Sequence, residues 1–154
     1  MTASVVHRTA PDLAAGDLVA LARRYAAARD RWPVRPRFTA DHRWYHRLAA
    51  EDDHEAWLLT WLPGQHTDLH DHGQASGALL VLSGTVQEQV VVSNGTALLR
   101  AVLIPAGGVS VFGPHHVHRV GNVANSPAVS LHVYAPALTT MTRYALTDTG
   151  LRVL

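Results

Sequence analysis

The segment Gly64-Gln-His-Thr-Asp-Leu-His-Asp-His-Gly-Gln-Ala-Ser-Gly-Ala-Leu-Leu-Val-Leu-Ser-Gly84 contains three histidines, and two of them, His70 and His72, stand two residues apart. On a β-strand, residues i and i+2 point to the same face, so these two imidazoles project together while Asp71 points away. Two imidazoles on one face can chelate a metal ion. The same pattern also fits two solvated histidines at the end of a strand, so the spacing alone leaves both interpretations open.

The composition is that of a globular protein. The chain has 154 residues, of which 47% are apolar and 16% charged, which suits one domain with a single core. Its net charge is +1 with both signs scattered, so no nucleic-acid partner is expected. No apolar run reaches the length of a signal-peptide core or a membrane span, so we expect no membrane partner and a cytoplasmic location.

Histidine is abundant and cysteine is absent. The chain has 11 histidines, concentrated between His66 and His132, and 0 cysteines. Disulfides and thiolate ligands are therefore impossible. A metal site in this protein must use nitrogen and oxygen ligands.

The N-terminal part is predicted to be helical. Apolar residues recur at helical spacing between Pro11 and Asp30, including Leu18 and Tyr25, and arginines cover the other faces. Pro33 and Pro36 then disfavour helix. We expect a small N-terminal helical segment.

From about Arg43 onward, short apolar runs alternate with turn residues. An Asn-Gly pair at 94–95 favours a tight hairpin between two of the runs. Many short strands at regular spacing indicate a closed or sandwiched antiparallel sheet, and hence an all-β fold. The predicted strands are 43–48, 55–62, 68–72, 78–82, 85–92, 98–104, 109–112, 117–120, 128–134 and 142–147.

The spacing of Gly64, His70, His72, Gly77 and Gly84 reads G-x5-H-x-H-x4-G-x6-G, which resembles the first motif of the cupin superfamily. Gly77 stands where many cupins carry a glutamate ligand. Without that glutamate the ligands are neutral imidazoles, so a bound metal keeps its full 2+ charge and favours anionic ligands such as a thiolate.

Downstream, Pro105-Ala-Gly107 and the pair His118 and Asn122 resemble the second cupin motif. The resemblance implies a cupin-type jelly-roll β-barrel. Residues 1–40 would then form the helical segment and residues 41–154 the barrel, together one domain.

Three longer stretches resemble the cysteine dioxygenases, a thiol-dioxygenase branch of the cupins, and the similarity runs from about Tyr45 to Pro136. They are Trp61-Leu-Pro-Gly-Gln-His-Thr-Asp-Leu-His-Asp-His72, His118-Arg-Val-Gly-Asn122 and Ser130-Leu-His-Val-Tyr134.

The resemblance implies the roles of the site residues. The Fe(II) ligands would be His70, His72 and His118. Tyr134 would place its phenol near the substrate and oxygen, held by a hydrogen-bond chain through His132 and Ser130. The spacing i, i+2, i+4 independently puts that chain on one strand face.

Two further residues are implied at the substrate. In Tyr45-His-Arg47, Arg47 aligns with an arginine that pairs with the substrate carboxylate, which suits a guanidinium fork. Tyr45 would lie beside it. Animal members carry a cysteine, linked to the active-site tyrosine, where this chain has Gly77, so Tyr134 is expected to be unmodified.

Several of these residues also fit structural roles. Arg47 could be a surface arginine on a strand, and His132 a hydrogen-bonded core histidine. His115 and His116 crowd the third ligand but lack an asparagine four residues on, so we interpret them as loop residues. Rim or core positions are expected for His66, Asp68, Trp57 and Trp61.

The function these features predict is an iron-dependent thiol dioxygenase that converts L-cysteine and O2 to cysteine sulfinic acid. The partners would be a small-molecule thiol and O2, and the protein a monomer or a weak homo-oligomer. Alternatives are a 3-mercaptopropionate dioxygenase, a non-catalytic metal-binding cupin, and a zinc-dependent hydrolase or isomerase. Spacing cannot choose between iron, zinc and nickel.

Overall fold

The computed structural model describes residues 14–93 and 97–154. The predicted Asn-Gly turn and the first residues of the predicted helix lie outside this range. The chain forms one α-helix and eleven β-strands in the described part, arranged in two antiparallel sheets. No helix within it is long and apolar enough to cross a membrane.

Helix α1 spans Ala15–Ala27, and a short 3₁₀ turn at Arg29–Arg31 follows it. Its apolar stripe buries Leu18 and Leu21 against the outer face of one sheet. The helix ends before Trp32-Pro33, where proline disfavours a further turn. The predicted helical segment is therefore present. Its α-helix ends at Ala27 and not at the predicted Asp30, because the 3₁₀ turn replaces the last helical residues.

The strands are short, as the alternation of apolar runs and turns predicts. Their bounds are β1 Tyr45–Ala50, β2 Glu55–Trp61, β3 Leu69–His70, β4 Ser76–Ser83, β5 Thr85–Ser93, β6 Ala97–Pro105, β7 Val109–Phe112, β8 His118–Gly121, β9 Ala128–Ala135, β10 Arg143–Thr147 and β11 Gly150–Val153.

The first sheet has the order β1-β2-β9-β4-β7 and the second β11-β10-β3-β8-β5-β6. Strand β9 lies at the centre of the first sheet, between β2 and β4, and every residue in it is buried. The neighbouring strands β5 and β6 pair over their whole length, as predicted. The fold is thus mostly β with two antiparallel sheets, and the division at residue 40 stays a prediction.

Two strand pairings determine where the functional residues lie. His70 on β3 pairs directly with His118 on β8, which brings two histidines that are distant in the sequence into one site. Strand β3 ends at His70, so His72 lies just beyond it. The prediction of a strand over 68–72, with both histidines on it, was wrong at this end. The chain turns at Gly73 instead, where φ is +58°.

Candidate metal centre

The three predicted ligands lie together in the interior. His70, His72 and His118 are all buried, and one ligand atom from each lies within 4.8 Å of the others. Their ring centroids are 4.8 Å apart for His70 with His72 and with His118, and 5.1 Å apart for His72 with His118. Three convergent imidazoles at this spacing can hold one metal ion.

Hydrogen bonds assign the nitrogen that faces the site. The Nδ1 atom of His70 donates to the carbonyl oxygen of Asp68 at 2.8 Å, and Nδ1 of His118 donates to the carboxylate of Glu88 at 2.7 Å. In a neutral imidazole the other nitrogen, Nε2, then carries the lone pair. Both histidines therefore present Nε2 as the free ligand atom.

His72 is held differently. Both of its ring nitrogens are buried and have no hydrogen-bond partner in the described part of the chain. Its ring contacts those of Phe112 and Tyr134, with centroids at 5.1 Å and 4.8 Å. Buried polar atoms normally have a partner, and a metal ion bound by all three histidines would supply one for His72. The three residues therefore fit a divalent metal ion.

Phe112 fills the space that the missing glutamate would need. A Cβ atom on Gly77 would lie 2.5 Å from the Phe112 ring and 2.9 Å from the carbonyl oxygen of Val133, so a side chain does not fit in the present arrangement. Gly77 thus lets Phe112 stack on His72. A cysteine or glutamate at this position could reach the site only if Phe112 moved.

Glu88 is a site residue that sequence reasoning missed. It is buried, and it accepts hydrogen bonds from His118 and from the Ser110 hydroxyl, with His116 Nε2 at 3.5 Å. Burial alone raises the pKa of Glu88, but these contacts outweigh burial and lower it, so the carboxylate stays charged. A carboxylate behind a ligating histidine fixes its tautomer and raises its basicity.

The ligand histidines are neutral at neutral pH. Burial, reinforced by the nearby His118, lowers the pKa of His70 to about 4 and that of His72 to about 2. Burial also lowers the pKa of His118, although Glu88 opposes this. A metal ion can therefore bind without first displacing protons.

We expect the metal-free protein to lose stability as the pH falls. Unfolded imidazoles bind a proton near pH 6.5, whereas folded His70 stays neutral down to about 4. Between these values the unfolded chain binds more protons, so each such imidazole lowers the free energy of unfolding by up to about 1.4 kcal/mol per pH unit. Urea denaturation of metal-free protein at pH 7.5 and pH 5 measures this, and equal free energies at both would contradict it.

A hydrogen-bond chain runs along β9 beside the histidines. Trp61 Nε1 donates to Ser130 Oγ at 2.9 Å, Ser130 Oγ lies 2.9 Å from His132 Nε2, and His132 Nδ1 lies 3.2 Å from the Tyr134 hydroxyl. The Ser130-His132-Tyr134 alignment predicted from the spacing is thus present. Trp61, interpreted from the sequence as a core residue, is its first member.

The Trp61 indole indicates which atom donates in each of these hydrogen bonds. An indole N–H can only donate, so the buried Ser130 hydroxyl has His132 Nε2 as the acceptor for its own hydrogen. His132 then carries its proton on Nδ1 and donates to Tyr134. The Tyr134 hydrogen is therefore free to point into the cavity.

Burial keeps the two titratable members of this chain, His132 and Tyr134, neutral. It lowers the pKa of His132 to about 3, with further contributions from His118 and His70. It also raises the pKa of Tyr134 well above 10, with a further contribution from Glu55. Tyr134 is thus a hydrogen-bond donor at neutral pH and not a phenolate.

A cavity of about 260 Å³ opens beside the histidines. His70, His118, His132 and Tyr134 contribute to its wall, and so does Tyr45. The remaining lining residues are Arg43, Trp57, Leu59, Thr67, Val120, Leu138 and Met141.

Arg47 does not line this cavity. Its side chain is 54% exposed, and its guanidinium lies 3.9 Å from the buried carboxylate of Glu55. Arg43, four residues earlier, lies in the cavity wall instead. The predicted carboxylate-binding arginine is therefore not a lining residue of the cavity, although it lies 5.9 Å from the ring of Trp57, which is one.

The remaining candidates lie around the site. Trp57 packs against a buried cluster that includes Phe112 and Tyr134, in line with the sequence interpretation, and it also lines the cavity. His115 has a φ of +60° and contacts Gln74, in the loop before β8. His66 forms a bridge with Gly121 and lines a different depression. Asp68 is exposed and pairs with Arg143 at 3.4 Å, as expected of a rim residue.

Comparison with protein families gives one match over most of the chain. The model of the family described as cysteine dioxygenase type I matches residues 4–147. The matched range includes all three histidines, the Ser130-His132-Tyr134 chain and both arginines.

Solved structures with a similar fold come from several bacteria. The protein TT1209 from Thermus thermophilus has a TM-score of 0.58 at 24% identity, covering 66% of this chain and 90% of that one. A conserved Klebsiella pneumoniae protein with a double-stranded β-helix domain has a TM-score of 0.55 at 21% identity, covering 78% and 89%. Oxalate decarboxylase from Lactobacillus farciminis has a TM-score of 0.58 at 18% identity, covering 69% of this chain but 32% of that one. At these identities the similarity concerns the fold.

Proposed function

Because this chain belongs to the cysteine dioxygenase type I family, we propose that it is an iron(II)-dependent thiol dioxygenase acting on L-cysteine. The observation that carries the proposal is the buried group His70, His72 and His118 beside a cavity that Tyr134 lines. The product is cysteine sulfinic acid. The thiol RSH and O2 combine to RSO2H, so both oxygen atoms are retained on sulfur.

Iron(II) on the three histidines would supply the redox chemistry by which dioxygen adds to a thiolate. The protein contributes the charge and the shape of the site. Its three ligands are neutral, so the positive charge facing the cavity favours an anionic sulfur. The largely apolar wall, including Leu59 and Val120, limits the access of water.

Tyr134 supports this role as a fixed donor. When its hydroxyl accepts from His132 Nδ1, its own hydrogen is free to donate into the cavity. It can therefore stabilise negative charge that develops on oxygen beside the histidines. Because burial raises its pKa, it donates a hydrogen bond without losing its proton.

We further propose that the two sheets close into the cupin-type jelly-roll barrel that the sequence predicts. Closure would enclose the histidines between the sheets. The buried His70 and His118 on one sheet and the buried His132 and Tyr134 on the other support it, since both pairs face the same cavity.

One observation favours a second candidate, a dioxygenase of 3-mercaptopropionate or a similar mercapto acid. The resemblance favours cysteine only through Arg47, because the mercapto-acid branch tends to carry glutamine at that position, and Arg47 lies outside the cavity wall. The choice between cysteine and a mercapto acid therefore depends on other residues.

An oxygen electrode tests the activity. Iron-loaded protein is supplied with cysteine, 3-mercaptopropionate or cysteamine, and His118→Ala protein treated with iron in the same way controls for free metal. We expect oxygen uptake with at least one carboxylate-bearing thiol. Uptake with none of the three, or zinc bound in place of iron with no uptake, would support a non-catalytic binding protein.

A further inference from the structure

Arg43 is an unpaired cation in the wall of the cavity. It is half-buried, and it forms no ion pair with any carboxylate within residues 14–93 and 97–154. Asp68, whose charge acts on Arg43, is paired with Arg143. A partly buried charge without a counter-ion is costly, so a ligand that supplies a negative charge binds here favourably.

Aromatic rings orient the Arg43 side chain. Its Cζ atom lies 5.2 Å from the ring centroid of Trp61 and 6.0 Å from that of Tyr45. Rings that contact the face of a guanidinium leave its edge free, and the edge carries the paired N–H groups that bind a carboxylate. Arg43 is close enough to lower the pKa of both His70 and His132 by its charge.

Arg47 already has a partner. The carboxylate of Glu55 that faces it is buried and also accepts a hydrogen bond from the backbone N–H of Leu138. The Arg47 guanidinium lies 5.9 Å from the ring centroid of Trp57, and the Arg47 side chain is mostly exposed. Recruiting Arg47 to a ligand would leave the buried Glu55 without its counter-ion.

We propose that Arg43, and not Arg47, binds the negatively charged group of the thiol substrate; this inference rests on the proposed thiol dioxygenase function. The substrate class is a small thiol with one carboxylate. Its sulfur faces the three histidines and its carboxylate faces Arg43, while the carbon chain contacts Leu59, Val120 and Leu138. No acidic side chain of the described residues lines the cavity, so an amine on the substrate finds no counter-ion there.

The test compares two thiols that differ in charge. Anaerobic calorimetry measures the binding of 3-mercaptopropionate and 3-mercapto-1-propanol to iron-loaded wild-type protein and to the variants Arg43→Gln and Arg47→Gln. Without oxygen there is no turnover, so the readout is binding alone. Metal content and thermal unfolding of each variant show whether the site and the fold are intact.

We expect Arg43→Gln to weaken binding of 3-mercaptopropionate by about 10- to 100-fold, because a charge-assisted bidentate contact is lost. Binding of the uncharged thiol should change by less than about 3-fold, and Arg47→Gln should affect the two thiols equally. If Arg43→Gln binds no iron, Arg43→Lys replaces it: the charge remains but the fork is lost, so the preference for the carboxylate should fall to an intermediate value.

Three outcomes overturn the inference. They are an equal loss for both thiols in Arg43→Gln, a carboxylate-specific loss in Arg47→Gln instead, and an unchanged preference in Arg43→Lys. Its failure is distinguishable from that of the proposed function. If wild-type protein binds 3-mercaptopropionate through Arg43 but consumes no oxygen, the proposed function is wrong and the role of Arg43 stands. If the protein is active but Arg43→Gln keeps the wild-type preference for the carboxylate, the role of Arg43 is wrong and the function stands.

Discussion

His118→Ala protein is expected to bind no iron and to consume no oxygen, whereas His116→Ala protein keeps stoichiometric iron. His118 presents Nε2 to His70 and His72, and two imidazoles alone hold a divalent metal poorly. Iron content after loading and desalting, measured by atomic emission, distinguishes the two variants.

The comparison is informative because His116 and His118 both contact Glu88. Glu88, His116 and His118 form a second group whose ligand atoms lie within 4.8 Å of one another. If iron were held there, His116→Ala would lose it. Stoichiometric iron in His118→Ala would contradict the assignment of His118 as a ligand.

Glu88→Gln should lower the affinity for iron by about 10- to 100-fold, the usual effect of removing a carboxylate behind a ligating histidine. Glutamine has nearly the same shape and can still accept a hydrogen bond from His118, but it removes the negative charge that raises the basicity of the imidazole. Competition with a chelator of known affinity measures the change.

The chain offers a matched control in Glu55, a second buried glutamate, which pairs with Arg47 and accepts no hydrogen bond from a histidine of the described residues. Glu55→Gln should leave iron affinity within about 3-fold of wild type, as expected for a substitution away from the ligands. Equal losses in both variants would mean that the effect is one of general stability. No loss in either would remove Glu88 from its assigned role.

Much of the site could be predicted because strand geometry is regular. Alternation placed Ser130, His132 and Tyr134 on one face, and the structure confirms their hydrogen-bond chain. For His70 and His118, the pairing across β3 and β8 depends on which strands become neighbours. The motif resemblance supplied that information, which spacing alone does not contain.

Arg43 and Glu88 were missed for different physical reasons. Arg43 begins the predicted strand 43–48, where alternation puts it on the same face as Tyr45 and Arg47, but the resemblance pointed to Arg47 and spacing alone could not choose between the two arginines. Glu88 did carry a signal: it lies two residues after the buried Val86 and so on the inward face of β5. A carboxylate on an inward face needs a buried donor, and His118 is that donor.

Two features of the fold depend on packing that the pattern does not show. Strand β11, Gly150–Val153, was not predicted; its Leu151 and Val153 are exposed, so its apolar residues do not mark a buried face. The sequence shows that Gly77 lacks a side chain, but only the structure shows Phe112 in the space beside it.

Labelled dioxygen tests the central proposal most directly. Iron-loaded protein is incubated with the thiol that gives oxygen uptake under ¹⁸O2, and the product is analysed by mass spectrometry. A dioxygenase of this kind predicts a sulfinic acid that carries two ¹⁸O atoms from one O2 molecule. A disulfide without label, or a product with one labelled oxygen, would contradict it.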